Sequence, residues 1–207
     1  MKISSYCSIE NGKVSLNGSL IYEDSLLDAK DFLKFVYKQE NIDYPKFYKM
    51  DGLSKLAFLA SEFVLSHSEL TKKYSQEKIA IHLANSCSSL DSDLAHQHIT
   101  AGKEGLASPA VFVYTLPNIA IGEISIRHKL MGDHCFYIDE KFDFDFMFDN
   151  AELLLSGDIA SAVLTGWIEF LNGEYQAVLY VVEKDLETVS ILEHKKDVLK
   201  RIFERSI

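Results

Sequence analysis

Proline is scarce in this sequence: Pro45, Pro109 and Pro117 lie scattered along 207 positions. With no Pro-rich stretch, no shift in composition and no internal repeat, nothing marks a linker, and residues 1–207 read as one domain. Cysteine is equally scarce. Cys7, Cys87 and Cys135 are odd in number and far apart, which suits reduced thiols and excludes a disulfide frame or the paired spacing of a zinc site. Neither metal nor cofactor is expected. No window reaches the roughly 18 consecutive apolar residues of a spanning helix, and the opening residues lack the apolar stretch and cleavage site of a secretion signal. The expectation is a soluble cytoplasmic chain with no membrane partner. Positive charge is the minority sign: 21 Lys and Arg against 31 Asp and Glu leave a formal charge of −10. The phosphate backbone of nucleic acid would repel such a chain, so no nucleic-acid partner is expected.

What is abundant is material for a core, since 47% of residues are hydrophobic and 12% aromatic. The opening "ISSYCSI" and "KVSLNGSLIYE" are β-rich and flank Asn11-Gly12, a strong hairpin signal. Helices are predicted over Ser25–Glu40 and Gly52–Ser66, the latter with one apolar stripe of Leu53, Leu56, Ala57, Ala60, Phe63 and Val64. A strand over Lys78–Ala84 follows, then helices over Asp91–Ala101 and Ile119–Leu130 and a strand "HCFYI" over His134–Ile138. A helix from Phe144 to Ser156 should stop at Gly157 as a left-handed cap. Two strands, "ASAVLTGWIEF" and "YQAVLYVVE", turn at Asn172-Gly173, and "SILEHKKDVLKRIFERSI" reads as a final amphipathic helix. This alternation describes an α/β domain with a mixed sheet and helices on its faces.

The segment "ASPAVFVYTLPNIAIGEISIRHKLMGD" (residues 107–133) resembles the β-ketoacyl synthases, which carry a Ser-Pro, an aromatic stretch, Leu-Pro-Asn and Ile-Gly-Glu-Ile before the nucleophile strand. Upstream, "YPKFYKMDGLSKLAFLASEFVL" is similar to their Met-Asp helix, and downstream "AELLLSGDIASAVLTGWIEF" to their helix, Gly, Asp and buried strand. The resemblance covers about residues 45–170 and implies half of a thiolase-like fold. The half that brings the family's two catalytic histidines would need another domain-sized core. Half of a layered fold is expected to leave one sheet face uncovered, and that calls for a partner.

Cys87, in "NSCSSLDSD", follows a strand and precedes a helix, the frame of a nucleophile. The resemblance places the family's nucleophile elsewhere, after His134–Ile138, where this sequence has Glu140 or Lys141. Neither replaces a thiolate activated by its surroundings. The runner-up reading is a small acyltransferase or thioesterase-like enzyme using Cys87, and the plain alternative is a polar turn capping the next helix. His82, His96, His98 and His128 read as surface or satisfied core residues, and His96 and His98 are too near in sequence to share a helix face. Cys135 reads as a small buried hydrophobe. The run Asp139–Asp149 alternates acids with Phe142, Phe144, Phe146 and Phe148. It lacks the glycine and terminal glutamate of a calcium loop, so its rings should pack on a core or partner while its acids stay solvated.

The resemblance therefore implies a non-catalytic, chain-length-factor-like subunit that pairs with an active ketosynthase in type II fatty-acid or polyketide synthesis of the aryl polyene kind. Family dimers pair through the strand matching His134, Cys135, Phe136 and Tyr137, and residues matching Val111 and Phe112 reach into the neighbour's acyl tunnel. The alternative for both is an ordinary core role. An acidic acyl carrier would seek a basic patch, for which Lys195, Lys196, Lys200, Arg201 and Arg205 on the last helix are the dense candidate; carrier contact is otherwise expected to be indirect, through the active partner. A third reading is a homodimeric acyl-binding module with no ketosynthase partner, the isolated chain pairing with itself.

Overall fold

A computed structural model describes residues 1–102, 108–184 and 191–205. Asn11 and Gly12, both at positive φ, reverse the chain between β1 (Lys2–Glu10) and β2 (Lys13–Leu16). A second Asn-Gly pair, Asn17-Gly18, also at positive φ, breaks the expected continuous strand and starts β3 (Ser19–Glu23). Helix α1 (Ala29–Gln39) begins later than expected because Asp28 caps it, accepting the Asp31 N–H at 2.9 Å. Asp51 caps α2 (Gly52–Ser68) in the same way. Its glycine is required, since a Cβ at Gly52 would run into the Phe170 ring. After the short α3 (Leu70–Lys73) come β4 (Ile79–Asn85), α4 (Leu90–Thr100), the one-turn α5 (Pro109–Phe112) and α6 (Ile119–His128). Strand β5 (His134–Ile138), α7 (Phe144–Ser156), β6 (Ala162–Leu171), β7 (Glu174–Glu183), β8 (Leu192–Glu193) and α8 (Lys196–Arg205) complete the order.

The strands form one mixed sheet in the order β3-β2-β1-β7-β6-β4-β5, with β8 added beside β1. Strand β4 runs parallel to β5 and β6, whereas β7 is antiparallel to β6 and β1. Alternation along β4 sends Ile79, Ile81 and Leu83 to a core shared with α1, α2 and α6, and Ala80 and Ala84 to a second core under α7 and α8. Both faces of the sheet are thus covered by the chain's own helices. Among the described residues neither face is left wholly bare, where half of a layered fold was expected to leave one to a partner.

Three further expectations change. Helix α2 buries Phe58, Leu59 and Leu65 as well as its expected stripe, because the sheet, α1 and α6 surround it. Helix α7 does not end on a left-handed Gly157, whose φ is −75°; Asp158 takes that conformation instead, at φ 58°. The final helix starts at Lys196, since Leu192 and Glu193 pair with Ile3 and Lys2 of β1; its expected first residue, Ser190, and its last two lie outside the described residues. The Phe-Asp run forms the seam between the helices over the second core. Phe142 stacks on Phe203 at 4.2 Å between centroids, Phe148 stacks on His194 at 4.4 Å, and Asp145 and Asp149 reach Lys196 at 2.8 and 3.3 Å. Among the described residues no single helix is long and apolar enough to cross a membrane.

Candidate functional site

Strand β5 lies at an edge of the sheet because its partners are used up on one side: it bonds to β4, and no described strand pairs with its outer edge. His134 and Ile138 are exposed, while Cys135, Phe136 and Tyr137 are half-buried. Apolar side chains flank this edge, with Ile126 on α6, Met131 before the strand, Ile138 at 52% exposure and Phe146 on α7. An open edge bordered by such side chains is a surface that another chain can extend.

Beneath the strand runs a hydrogen-bonded row. His82 on β4, buried opposite Cys135, contacts Asp133 Oδ2 through Nε2 at 2.8 Å and the Tyr137 hydroxyl through Nδ1 at 3.0 Å. With Nε2–H donating to the Asp133 carboxylate, Nδ1 accepts the Tyr137 O–H, and Asn150 Nδ2 donates to the same hydroxyl oxygen at 3.2 Å. Burial, followed by the adjacent Cys135 thiol, raises the Tyr137 pKa. Nothing in the spacing of these residues along the sequence announced this network.

The turn after β5 is the position the sequence resemblance matched to a nucleophile. Its backbone is pinned: the Asp139 N–H donates to the Asn85 carbonyl at 3.0 Å, the Glu140 N–H donates to the Asp139 carboxylate at 2.7 Å, and Asp143 caps α7 by accepting the Phe146 N–H at 2.9 Å. Glu140 and Lys141 are both exposed on it. A cavity of about 220 Å³ adjoins the turn, lined by Ala84, Tyr137, Ile138, Asp139, Phe146 and Met147 among others.

Cys87 lies in the neighbouring loop, between β4 and α4, at the same end of the sheet as this turn. Asn85 holds the loop by bonding both the N–H and the carbonyl of Ser88, which sits at φ 53°. The Cys87 thiol donates to the Glu169 carboxylate, which also accepts the Ser86 hydroxyl at 2.6 Å. Burial first, and then Glu169, push the thiol pKa up to about 11. That is the opposite of what a nucleophile needs. Among the described residues no histidine bonds to it. His128 instead meets Glu62 at 3.0 Å, and the His96 ring lies 5.6 Å from that of Phe112. No His, Cys, Asp and Glu cluster suited to a metal occurs among the described residues.

The two residues proposed for an acyl tunnel separate. Phe112 is 59% exposed, beside exposed Leu94, Val113 and Leu116, and is no core residue. Val111 is half-buried and lines a cavity of its own chain, about 430 Å³ in volume. The basic last helix is largely neutralised: Lys195 pairs with Glu193, Lys196 with α7, and Arg201 with Asp197 at 3.1 Å. The Arg205 side chain lies outside the described residues. A second group of lysines, Lys30, Lys34, Lys49 and Lys55, surrounds the 430 Å³ cavity. Three separate elements supply its members, so no local run of sequence announces it beyond the Lys30–Lys34 spacing on one helix face.

No family model and no curated protein matches the sequence. Solved structures do match. An ishigamide ketosynthase/chain length factor structure superposes with a TM-score of 0.65 at 16% identity, over 91% of this chain and 63% of that one. The chain shares the ketosynthase fold. A ketosynthase (ApeO) in complex with its chain length factor (ApeC) from Xenorhabdus doucetiae matches with a TM-score of 0.57 at 12% identity, covering 100% of this chain and 92% of that one. The AntDE:AntF structure, a type II acyl-carrier protein in complex with its ketosynthase, gives a TM-score of 0.59 at 16% identity over 97% of this chain and 64% of that one. This ketosynthase-fold chain thus spans somewhat under two thirds of the first and third matched chains and nearly all of the second.

Proposed function

We propose that the protein is a non-catalytic, chain-length-factor-like subunit that pairs along β5 with an active β-ketoacyl synthase in a cytoplasmic type II fatty-acid or polyketide pathway of the aryl polyene kind. One observation carries the reading: the strand–turn–helix matched to the family nucleophile presents Glu140 and Lys141, while the strand leading into it has an open edge with apolar flanks. A carboxylate and an ammonium cannot form the thioester on which ketosynthase acyl transfer depends. The edge supplies backbone groups for a partner strand, Ile126, Ile138 and Phe146 supply apolar contact, and Phe112 extends toward the partner's acyl tunnel. The acyl carrier docks chiefly on the catalytic partner, and the isolated chain pairs with itself when that partner is missing.

Co-expression with each β-ketoacyl synthase found encoded near it tests the reading. A 1:1 complex should survive gel filtration, and Ile138→Asp should weaken it at least tenfold without lowering the thermal midpoint of the isolated chain. Failure of every neighbouring ketosynthase to co-purify, or an unchanged complex with Ile138→Asp, would sink the assignment.

A further inference from the structure

His82 ties down the edge strand at both of its ends. From β4 it lies opposite Cys135; its Nε2 meets the carboxylate of Asp133, the residue before β5, and its Nδ1 meets the hydroxyl of Tyr137. The imidazole is 4% exposed, whereas the Asp133 side chain is 53% exposed beside the open edge. Among the described residues His82 is the one ion-pair partner of Asp133. Burial holds the Tyr137 pKa well above its ordinary value, so this hydroxyl keeps its proton near neutral pH and needs an acceptor for it.

The side chains around His82 accommodate two proton arrangements. With a neutral ring, Nε2–H donates to Asp133 and Nδ1 accepts from Tyr137, whose oxygen accepts from Asn150 Nδ2 at 3.2 Å. Asn150 Oδ1 is then buried without a partner among the described residues. A second ring proton, on Nδ1, donates to the Tyr137 oxygen, and the Tyr137 O–H turns to Asn150 Oδ1 once that amide rotates by a half-turn. Three hydrogen bonds exist in either arrangement. The other ionisable groups near the ring are His134 and Cys135 of β5. Strand β6 presents uncharged Thr165 opposite His82, and the α7 acids Asp145, Asp149 and Glu152 are turned to Lys196 and His194.

The two arrangements differ in charge: the His82–Asp133 pair carries one negative charge with a neutral ring and none with a charged one. A strand laid along β5 strips water from Asp133. Desolvating a lone carboxylate costs much more than desolvating one that faces an imidazolium. We propose that pairing along β5 is proton-linked: as the partner strand covers Asp133, His82 takes up a proton, so the complex tightens as pH falls. The inference rests on the subunit reading and concerns the regulation of the same edge. His134 acts with the opposite sign. It is exposed on the edge strand, and burial already lowers its pKa, so covering it further expels a proton and favours pairing at higher pH.

Calorimetric titration of the full-length chain with its co-purifying ketosynthase, in buffers of different ionisation enthalpy, counts the protons exchanged. Net uptake is expected between pH 8 and pH 6, with affinity about tenfold tighter at the lower pH. Asp133→Asn should abolish the uptake, His82→Gln should do the same, and His134→Gln should leave it in place or increase it. Nitrogen-15 NMR of the isolated chain provides a readout without a partner: at pH 8 His82 should be the Nε2–H tautomer. No complex with any ketosynthase at any pH overturns the subunit reading and this inference together. A stable complex that takes up no proton, uptake undiminished in Asp133→Asn, or an Nδ1–H tautomer overturns the proton linkage alone.

Discussion

The Cys87 thiol directs its hydrogen at Glu169, a residue 82 positions further along that the fold brings across from β6. From the sequence, a cysteine between a strand and a helix invites a nucleophile reading, since the local frame is right. The carboxylate opposite reverses it by stabilising the protonated thiol. Alkylation by iodoacetamide should therefore be slow at pH 7 and keep rising as pH climbs toward about 11. Glu169→Gln removes the negative charge, so Cys87 should react several-fold faster at pH 8, with roughly tenfold expected for each unit by which the thiol pKa drops. Mass spectrometry of the labelled peptide measures this. Equal rates in the two proteins would show that Glu169 does not control the thiol.

Helix α2 shows where an element outgrows its own periodicity. Spacings of three and four identified one buried stripe, but Phe58 and Leu59 are fully buried as well because the helix is enclosed by α1, α6 and the sheet. Truncation off the expected stripe should then cost as much as truncation on it. Leu59→Ala should destabilise the protein by about 2–5 kcal/mol, as large-to-small changes at closed core sites do, which denaturant titration will read directly. A loss under 1 kcal/mol would place Leu59 at a surface. Strand positions were more legible: apolar alternation and two Asn-Gly turns identified β1, β2, β6 and β7, because pleat and turn chemistry are local. The β2–β3 break at Asn17-Gly18 carried the same local signal, and reading a continuous strand through it passed over that signal.

At the scale of the whole molecule, a C-terminal segment is tied back to the body through His194. Its Nδ1–H donates to the Glu152 carboxylate of α7 at 2.8 Å, its ring stacks on Phe148, and it follows the short β8 that pairs with β1. Burial holds the His194 pKa below its ordinary value, opposed by Glu152. The unfolded chain therefore binds this proton more readily than the folded one, and stability falls as pH drops below the unfolded value of 6.5. Thermal midpoints between pH 7.5 and 5.5 should decline, and His194→Gln should flatten that decline. An equal slope in the variant would remove His194 as its cause.

Sequence alone determined the class of the fold. Alternating helix and strand patterns predict a mixed α/β sheet, and the Ser-Pro to Ile-Gly-Glu-Ile run points to the ketosynthase fold, because both signals are written in neighbouring residues. It also located the Glu140-Lys141 turn, since a strand, a turn and a capped helix are contiguous. Tertiary structure decided what contiguity cannot carry. It covered both faces of the sheet, turned Phe112 outward and Val111 inward, paired Lys196 of the basic last helix with acids from α7, and gathered four lysines from three elements around one cavity. Each of these depends on which distant segments become neighbours, and charge and burial act through space.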